Sequence, residues 1–456
     1  MSDDPALWTT SQQVEAIQMA KISSRELLEH YIARIERLNP KINAVITTDF
    51  ARARSNADAA DAAISEGRQT GPLHGIPATI KDALETRDLR STGGATELSN
   101  HVPAQDAPVV AAVRDAGANI MGKTNLPRWS MDIQAYNEMF GHTGNPWNLE
   151  RIPGGSSGGA AAAVAAGLSS FDIGTDIGGS IRFPAAFCGV FGHKPSFGIV
   201  PSTGYLDHAD GGTTEADINV IGPIARSAED LELLLSIMLR RTPPWEIRLA
   251  KPSGELKTLK IATWLDDDFC RVDESVLERT TAAADALKQS GFNVIGDCRP
   301  DLDPREASNL GMALVGAAML QSREEVNHTH LDWLNQHQAR ESLKAAWARF
   351  FEDVDVLLMP VCFVPPFPHM HEGEFSTRTL ECNGEIRPYS DLMRWTVLVG
   401  MAYLPSTVPP IGLSSSGLPV GIQIVGKYGA DLTTIRLGGA LSELMGGYQP
   451  PSIAEL

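Results

Sequence analysis

IPGGSSGGAAAAVAAGLSSFDIGTDIGGSIRFP, residues 152–184, is the stretch of sequence that decides the fold. It holds two serines between glycines, Ser156 in GGSSGG and Ser180 in GGS, on either side of an alanine-rich run. Alanine is the strongest helix former and is small, so the run predicts a tightly buried helix that begins at a glycine turn. Glycines beside a serine let the backbone approach a ligand and leave N–H groups free to face it. The stretch therefore predicts a backbone-lined site.

A glycine turn before a helix is also typical of phosphate and dinucleotide loops, or of plain structure. The stretch contains neither G-x-G-x-x-G nor G-x-x-x-x-G-K-[ST] with its lysine. We therefore do not interpret it as a nucleotide site.

A lysine lies upstream, in residues 75–82 (GIPATIKD). Lys81 closes an apolar run, which predicts a strand end beside the core. Burial at such a place lowers the pKa of a lysine and makes the neutral amine available as a base. Taken alone, a lysine at a strand end is more often a surface charge.

The three residues together resemble the Lys/Ser/Ser set of the amidase signature family. Ser156 follows Lys81 by 75 residues and Ser180 follows Ser156 by 24, which are that family's spacings. The resemblance extends over nearly the whole chain, through GKTN at 122–125 and LPVGIQ at 418–423. It implies an α/β fold with a large mixed, mostly parallel twisted sheet that is covered by helices on both faces.

The resemblance also implies roles. Lys81 would be the general base, Ser156 a bridging serine on a cis peptide, and Ser180 the nucleophile. Backbone N–H groups of four consecutive residues would form an oxyanion hole: Ile177, Gly178, Gly179 and Ser180. A serine hydroxyl needs a base to become a good nucleophile, and a lysine with a lowered pKa is a known solution.

Four further residues are expected to hold the two serine loops in place: Ser157, Thr175, Asp176 and Arg182. An aspartate that accepts backbone N–H bonds fixes such a turn. For Arg182 a surface ion pair is the alternative.

Substrate contacts are expected from Gly155 and from the apolar segment before the serine loop, with Trp129, Met131 and Tyr136. Such residues are as often ordinary core. Residues 365–367, Met393 and Trp395 are expected on the opposite wall. The segment has Pro127-Arg128 where commoner family members have Asp-Glu. This form is closer to the branch with fatty-amide hydrolases, so the resemblance alone does not fix the substrate.

Histidines offer a weaker alternative. His142 is the nearest candidate for a Ser-His pair, and neither it nor His193 has an acid at a recognisable spacing. His369 and His371 lack a third spaced ligand, so we predict no metal site and no cofactor.

Composition limits the partners. The chain has 456 residues, a formal net charge of −18 and five scattered cysteines without C-x-x-C. The acidic charge argues against nucleic acid and anionic membranes as partners. Free thiols suit a reducing compartment, and the N-terminus does not read as a signal peptide. We expect a cytoplasmic monomer or homodimer that acts on a small-molecule amide or carbamate.

We expect one domain over 1–456, since no linker or repeat divides it. It would comprise an N-terminal helical wrap (1–65), a catalytic core (66–240) and a substrate-side region (255–400) with a lid at 361–390. Local patterns predict helices after Ser11 and Ser23 and over 51–64, 107–116, 307–351 and 431–444. They predict a strand over 42–46 and a strand, helix and parallel strand after 259.

The chemistry leaves several functions open. The leading prediction is a serine hydrolase that cleaves amide-type C–N bonds of small apolar substrates, including anilides, through an acyl-enzyme. Carbamates and esters present the same electrophile. The alternatives are the glutaminase (A) subunit of a tRNA-dependent amidotransferase and a non-catalytic binding protein that keeps the fold.

Overall fold

A computed structural model describes residues 4–241, 246–252, 254–319 and 328–455. These residues form twelve α-helices and sixteen β-strands. The helices are α1 (Thr10–Gln18), α2 (Ser24–Ile42), α3 (Phe50–Ser65), α4 (Pro108–Asp115), α5 (Gly158–Ala165), α6 (Arg182–Cys188), α7 (Ala228–Met238), α8 (Glu274–Gln289), α9 (Pro304–Ala318), α10 (His330–Asp353), α11 (Arg394–Gly400) and α12 (Asp431–Leu444). None of them combines the length and the apolar character needed to cross a bilayer.

The strands are β1 (Val45–Thr48), β2 (Pro77–Lys81), β3 (Asn119–Thr124), β4 (Tyr136–Asn137), β5 (Gly141–His142), β6 (Asp172–Asp176), β7 (Phe191–Lys194), β8 (Val220–Ala225), β9 (Ile261–Thr263), β10 (Val294–Asp297), β11 (Val356–Pro360), β12 (Thr379–Cys382), β13 (Glu385–Pro388), β14 (Ser406–Val408), β15 (Pro410–Leu413) and β16 (Pro419–Gly426). The main sheet has nine strands in the order β10-β9-β11-β16-β14-β7-β8-β6, with β15 paired to β16. A smaller sheet has the order β1-β3-β2.

The strand directions correct one detail of the prediction. The α/β class and the large mixed sheet are confirmed. In the main sheet, however, only the pairs of β9 with β10 and β11 are parallel, and the others are antiparallel. The reason is connectivity. A single residue separates β14 from β15, so the two run in the same direction, and the short turn after β15 brings β16 back antiparallel to both. On the other side of the sheet, β8 lies between β6 and β7 and runs antiparallel to each.

Helices cover both faces of this sheet, as predicted. In β16 a Cβ added at Gly421 would meet Ala186 of α6. Three residues further on, Ile424 lies against Gly438 of α12. Because successive side chains of a strand point to opposite faces, α6 and α12 pack on opposite sides.

The N-terminal helices begin at capping boxes. Ser23 caps α2 together with Glu26, as expected, whereas α1 is capped by Thr9 with Gln12 rather than by Ser11. The strand expected at 42–46 begins later, because Ile42 still belongs to α2. The helical prediction for 307–351 is split between α9 and α10, and 320–327 lie outside the described residues. The predicted lid contains the hairpin of β12 and β13.

Candidate active site

Lys81 is the last residue of β2, a strand in which every residue is buried. Its Nζ donates to Ser156 Oγ at 2.6 Å and to Thr175 Oγ1 at 2.7 Å. Burial lowers the pKa of Lys81 to about 7, although Asp176 and Asp172 pull it upward. An amine with this pKa is partly neutral at neutral pH and can accept a proton.

Ser156 lies in a loop that packs closely on its surroundings. The Gly155–Ser156 peptide bond is cis. A Cβ added at Gly155 would lie 2.5 Å from Gln134 N and from Ile133 C, so only glycine fits there. Gly155 therefore serves close packing, and it is not among the residues that line the cavity described below.

Ser157 connects the Ser156 loop with the Ser180 loop. Its backbone N–H donates to the carbonyl of Ser180 at 3.1 Å. Its Oγ contacts both the N–H and the carbonyl of Thr175 at 3.3 Å. The same threonine holds Lys81, so the two serine loops and the lysine form one connected group.

Asp176 ends β6 and organises the turn that follows. Its carboxylate accepts the N–H of Gly179 at 2.9 Å and that of Ile181 at 3.1 Å. It also accepts two bonds from the guanidinium of Arg182, at 2.8 and 3.0 Å, and both side chains of this ion pair are fully buried. Burial alone would raise the pKa of Asp176, but Arg182 holds it below its usual value. The surface-pair alternative for Arg182 is therefore wrong.

The Ser180 turn contains backbone N–H groups that the rest of the chain does not fully use. The N–H of Gly179 donates to the Asp176 carboxylate. It is therefore not available to an oxyanion, and this differs from our prediction that all four N–H groups would form the oxyanion hole. Within the described ranges, the N–H groups of Ile177, Gly178 and Ser180 have no acceptor. The carbonyl of Gly178 accepts a 2.6 Å bond from Thr396 Oγ1, which fixes the orientation of this peptide.

A cavity of about 890 Å³ opens beside Ser180. It is lined by Arg128, Ser130, Met131, Asp132, Ile133, Ile177, Gly178, Ser180, Phe183, Met312, Val315, Gly316, Met319, Glu374, Phe375, Ser376 and Met393. Met131 and Met393 lie in this lining, as expected.

Other predicted wall residues lie elsewhere. Trp129 is buried against Ala95 and Leu206, and Tyr136 stacks on His371. Trp395 and Phe367 are buried in the main core. None of these four residues is in the cavity lining, because most large apolar side chains of this chain fill the interior.

Helix α9 supplies a wall of the cavity that was not predicted from the sequence. Met312, Val315, Gly316 and Met319 recur at the spacing of one helical face. That pattern was visible in the sequence, but it is equally typical of a helix that packs on a core. Phe183, directly after Arg182, was also missed.

The histidines are occupied away from the serines. His142 packs against His369 and His371, with ring centroids 4.4 and 5.1 Å away. His193 contacts Thr407 Oγ1 and Asp431 Oδ1. Neither His142 nor His193 therefore supports the alternative of a Ser-His pair at Ser156 or Ser180. Among the residues that the structure describes, no three His, Cys, Asp or Glu side chains are arranged to hold a metal ion.

Comparison with known proteins identifies the family of this chain. The amidase family model matches residues 26–323 and 315–435. The glutamyl-tRNA(Gln) amidotransferase (A) subunit of Roseiflexus sp. (strain RS-1) is 32% identical, over 95% of each chain. Indoleacetamide hydrolase of Bradyrhizobium diazoefficiens is 32% identical, over 93% of this chain and 84% of that protein. The crystal structure of a bacterial aryl acylamidase superposes with a TM-score of 0.85 at 26% identity and 98% coverage of both chains. This chain therefore belongs to the amidase signature family.

Proposed function

We propose that this amidohydrolase uses Ser180 as nucleophile, Ser156 as proton bridge and Lys81 as base. The observation that carries the proposal is the 2.6 Å hydrogen bond between the buried Lys81 Nζ and Ser156 Oγ. A lysine whose pKa is about 7 can take a proton at neutral pH, and Ser156 is tied to Ser180 through Ser157.

The proposed reaction is an acyl transfer in two steps. Ser180 Oγ attacks the carbonyl carbon and gives its proton to Ser156 Oγ, which passes its own proton to Lys81 Nζ. The proton returns by the same route to the leaving nitrogen, and the C–N bond breaks to leave an acyl-enzyme and a free amine. Water then attacks the ester in the same way and releases the acid.

The tetrahedral oxyanion would be held by the N–H groups of Ile177, Gly178 and Ser180. One such donor is typically worth about 3–4 kcal/mol in the transition state. The Asp176–Arg182 pair fixes the turn that carries these donors, so they need no reorganisation when charge develops.

We further propose bulky aryl or alkyl amides and anilides as substrates, with carbamates and esters as related electrophiles. The cavity wall carries four methionines and two phenylalanines, which suit varied apolar groups. Two of its charged residues are already paired, Arg128 with Glu97 and Asp132 with Arg378. The charged ends of glutamine would therefore lose solvation without two free partners.

A role as glutaminase within an amidotransferase is the second candidate, because the Roseiflexus protein is 32% identical over nearly the full length. That assignment would require partner subunits for activity. Under the leading proposal the chain acts alone, as a monomer or homodimer without a cofactor. The acidic charge of the chain and its five free cysteines support a cytoplasmic location without nucleic acid or membrane partners.

Mass spectrometry and kinetics would test the proposal. A fluorophosphonate should add once to the purified chain, on Ser180, and the adduct should be absent in Ser180→Ala. Steady-state rates on an anilide, an aryl carbamate and glutamine should give glutamine the lowest kcat/KM. Labelling that persists in Ser180→Ala would contradict the assignment. Activity that appears only with partner subunits would favour the glutaminase.

A further inference from the structure

Arg378, directly before β12, bonds to two parts of the chain at once. Its Nη1 donates to Asp132 Oδ2 at 2.6 Å, and both side chains are buried. Its Nε donates to the carbonyls of Glu372 and Gly373 at 3.3 Å, and its Nη2 donates to the Gly373 carbonyl at 3.0 Å. The planar guanidinium presents five donors in a rigid fork, so one side chain can hold a carboxylate and a backbone turn together.

Asp132, the partner of Arg378, lines the cavity beside Ser180. Its Oδ1 accepts the hydroxyl of Tyr389 at 2.8 Å and the N–H of Ile133 at 2.7 Å. The Tyr389 ring also lies under the Arg378 guanidinium, 5.5 Å from its carbon. The carboxylate is thus satisfied on both oxygens, and the cavity does not present it as a free charge.

The turn that Arg378 holds forms one wall of the same cavity. Glu374, Phe375 and Ser376 line the cavity, and none of the three is buried. Phe375 packs edge-on against Tyr389 with 5.0 Å between ring centroids. Behind this wall, Arg378 holds the carbonyls of Glu372 and Gly373, and Tyr389 packs on Phe375. The position of the wall therefore depends on them.

We propose that Arg378 is a specificity-determining positioning residue, which fixes residues 374–376 against the substrate cavity by joining them to Asp132. The inference rests on the proposed function, since it takes this cavity as the site of the acyl group. A bulky substrate reaches the wall and gains from its fixed position. A small acyl group that stays near Ser180 does not.

Two variants test the proposal. Arg378→Lys keeps a positive charge for Asp132 but has no fork for the two carbonyls. Phe375→Ala removes the aromatic ring from the wall and leaves the buried Arg378–Asp132 pair intact. It therefore tests the effect of the wall on substrate choice even if Arg378→Lys folds poorly. Each should lower the ratio of kcat/KM for the p-nitroanilide of octanoic acid to that of p-nitroacetanilide by about 10-fold to 100-fold. The rate of Ser180 labelling by a small fluorophosphonate should fall by a much smaller factor than kcat/KM for the octanoyl substrate, because the probe stays near the serine.

Arg387→Lys is the matched control. Arg387 belongs to the same hairpin and pairs with Asp391, which does not line the cavity, so its substrate ratio should be unchanged. An equal loss of kcat/KM on both anilides, or an unchanged substrate ratio in both test variants, would overturn the role of Arg378. Labelling of Ser180 in the same proteins would still support the proposed hydrolase. A wild-type chain in which Ser180 is not labelled would overturn the proposed function and this inference with it.

Discussion

Three lysines, Lys81, Lys123 and Lys194, are buried with lowered pKa values of about 7, 8 and 7, so burial alone does not select the base. Their hydrogen-bond partners differ. Lys194 Nζ donates to a backbone carbonyl, and Lys123 Nζ donates to the Leu84 carbonyl and to Thr86. A carbonyl has no proton to give. Lys81 is the one of the three that contacts a serine connected to Ser180, which is why it is the base in our proposal.

The pH dependence of hydrolysis follows from the environment of Lys81. Burial lowers its pKa to about 7, against the opposing charges of Asp176 and Asp172. In the proposed mechanism the neutral amine of Lys81 is the base. Its fraction grows as pH rises, so kcat/KM should increase through about pH 7 and then level off. Rates measured from pH 5 to 10 would show this, and full activity at pH 5 would contradict it. Lys81→Ala should lose on the order of 10⁴-fold or more in kcat.

Asp176→Asn should damage both stability and rate. The change leaves the fully buried Arg182 without a counter-charge, and breaking such a pair typically costs about 3–5 kcal/mol. It also weakens the acceptor for the N–H groups of Gly179 and Ile181. The proposed oxyanion donors would then lose their fixed geometry, and kcat should fall. Thermal unfolding and anilide kinetics would measure the two effects.

Asp58→Asn is the control for this variant, because Asp58 pairs with Arg25 on the surface. Its unfolding free energy should change by no more than about 0.5 kcal/mol. Adding Arg182→Met to Asp176→Asn should restore part of the stability but not the activity, since the buried charge is gone while the turn still lacks its acceptor. An unchanged melting temperature in Asp176→Asn would contradict this account.

At the scale of elements, helix α5 shows why glycine and alanine dominate the stretch at 152–184. All of its residues are buried, and it begins directly after Ser156 and Ser157. Gly159 N–H donates to the carbonyl of Asn125 at 3.1 Å, so the helix starts against the end of β3. Larger residues would push the Ser156 loop away from Lys81.

Gly159→Ala should therefore destabilise the chain. The added Cβ would lie 2.4 Å from Asn125 N, and overpacking of this kind typically costs about 1–3 kcal/mol. Gly316→Ala is the matched control within helix α9, because a Cβ there meets nothing within 4 Å. That variant should gain about 0.5–1 kcal/mol from helix propensity. Equal melting temperatures for the two variants would show that the close approach is not rigid.

Local sequence patterns predicted individual helices and strands better than the pairing of strands in the sheet. The strand, helix and parallel strand of β9, α8 and β10 follow from periodicity and crossover handedness, and the structure confirms them. The mainly antiparallel pairing of the main sheet could not be predicted from local patterns, because strand order depends on contacts between distant residues.

The same limit applies to the candidate site. The serine loops could be located from spacing, but which apolar residues face the cavity, such as those of α9 rather than Trp129, depends on tertiary packing.

For the whole molecule, the buried Arg34 joins segments near both chain ends to helix α5. Arg34 of α2 donates to Gly167 and Ala166 carbonyls at 3.0 and 2.7 Å, at the C-terminal end of α5. It also donates to the carbonyl of Ala454 at 2.8 Å and to Asp4 Oδ2 at 2.6 Å. We propose on this basis that the N-terminal wrap and the core are one domain rather than separable units.

Arg34→Ala should consequently destabilise the whole chain in a single step. The variant leaves the carbonyls of Ala166 and Gly167 buried without a donor and removes one partner of Asp4. Each buried acceptor that loses its donor typically costs about 1–3 kcal/mol. Calorimetry should show one transition at a lower melting temperature. Arg25→Ala, which removes half-exposed surface pairs from the same helix, should shift it little. At 20 °C the folded Arg34→Ala protein should still hydrolyse its anilide at close to the wild-type rate, because Arg34 contacts neither serine loop. Two separate transitions, with an early one that leaves activity intact, would instead mean that the wrap unfolds independently of the core.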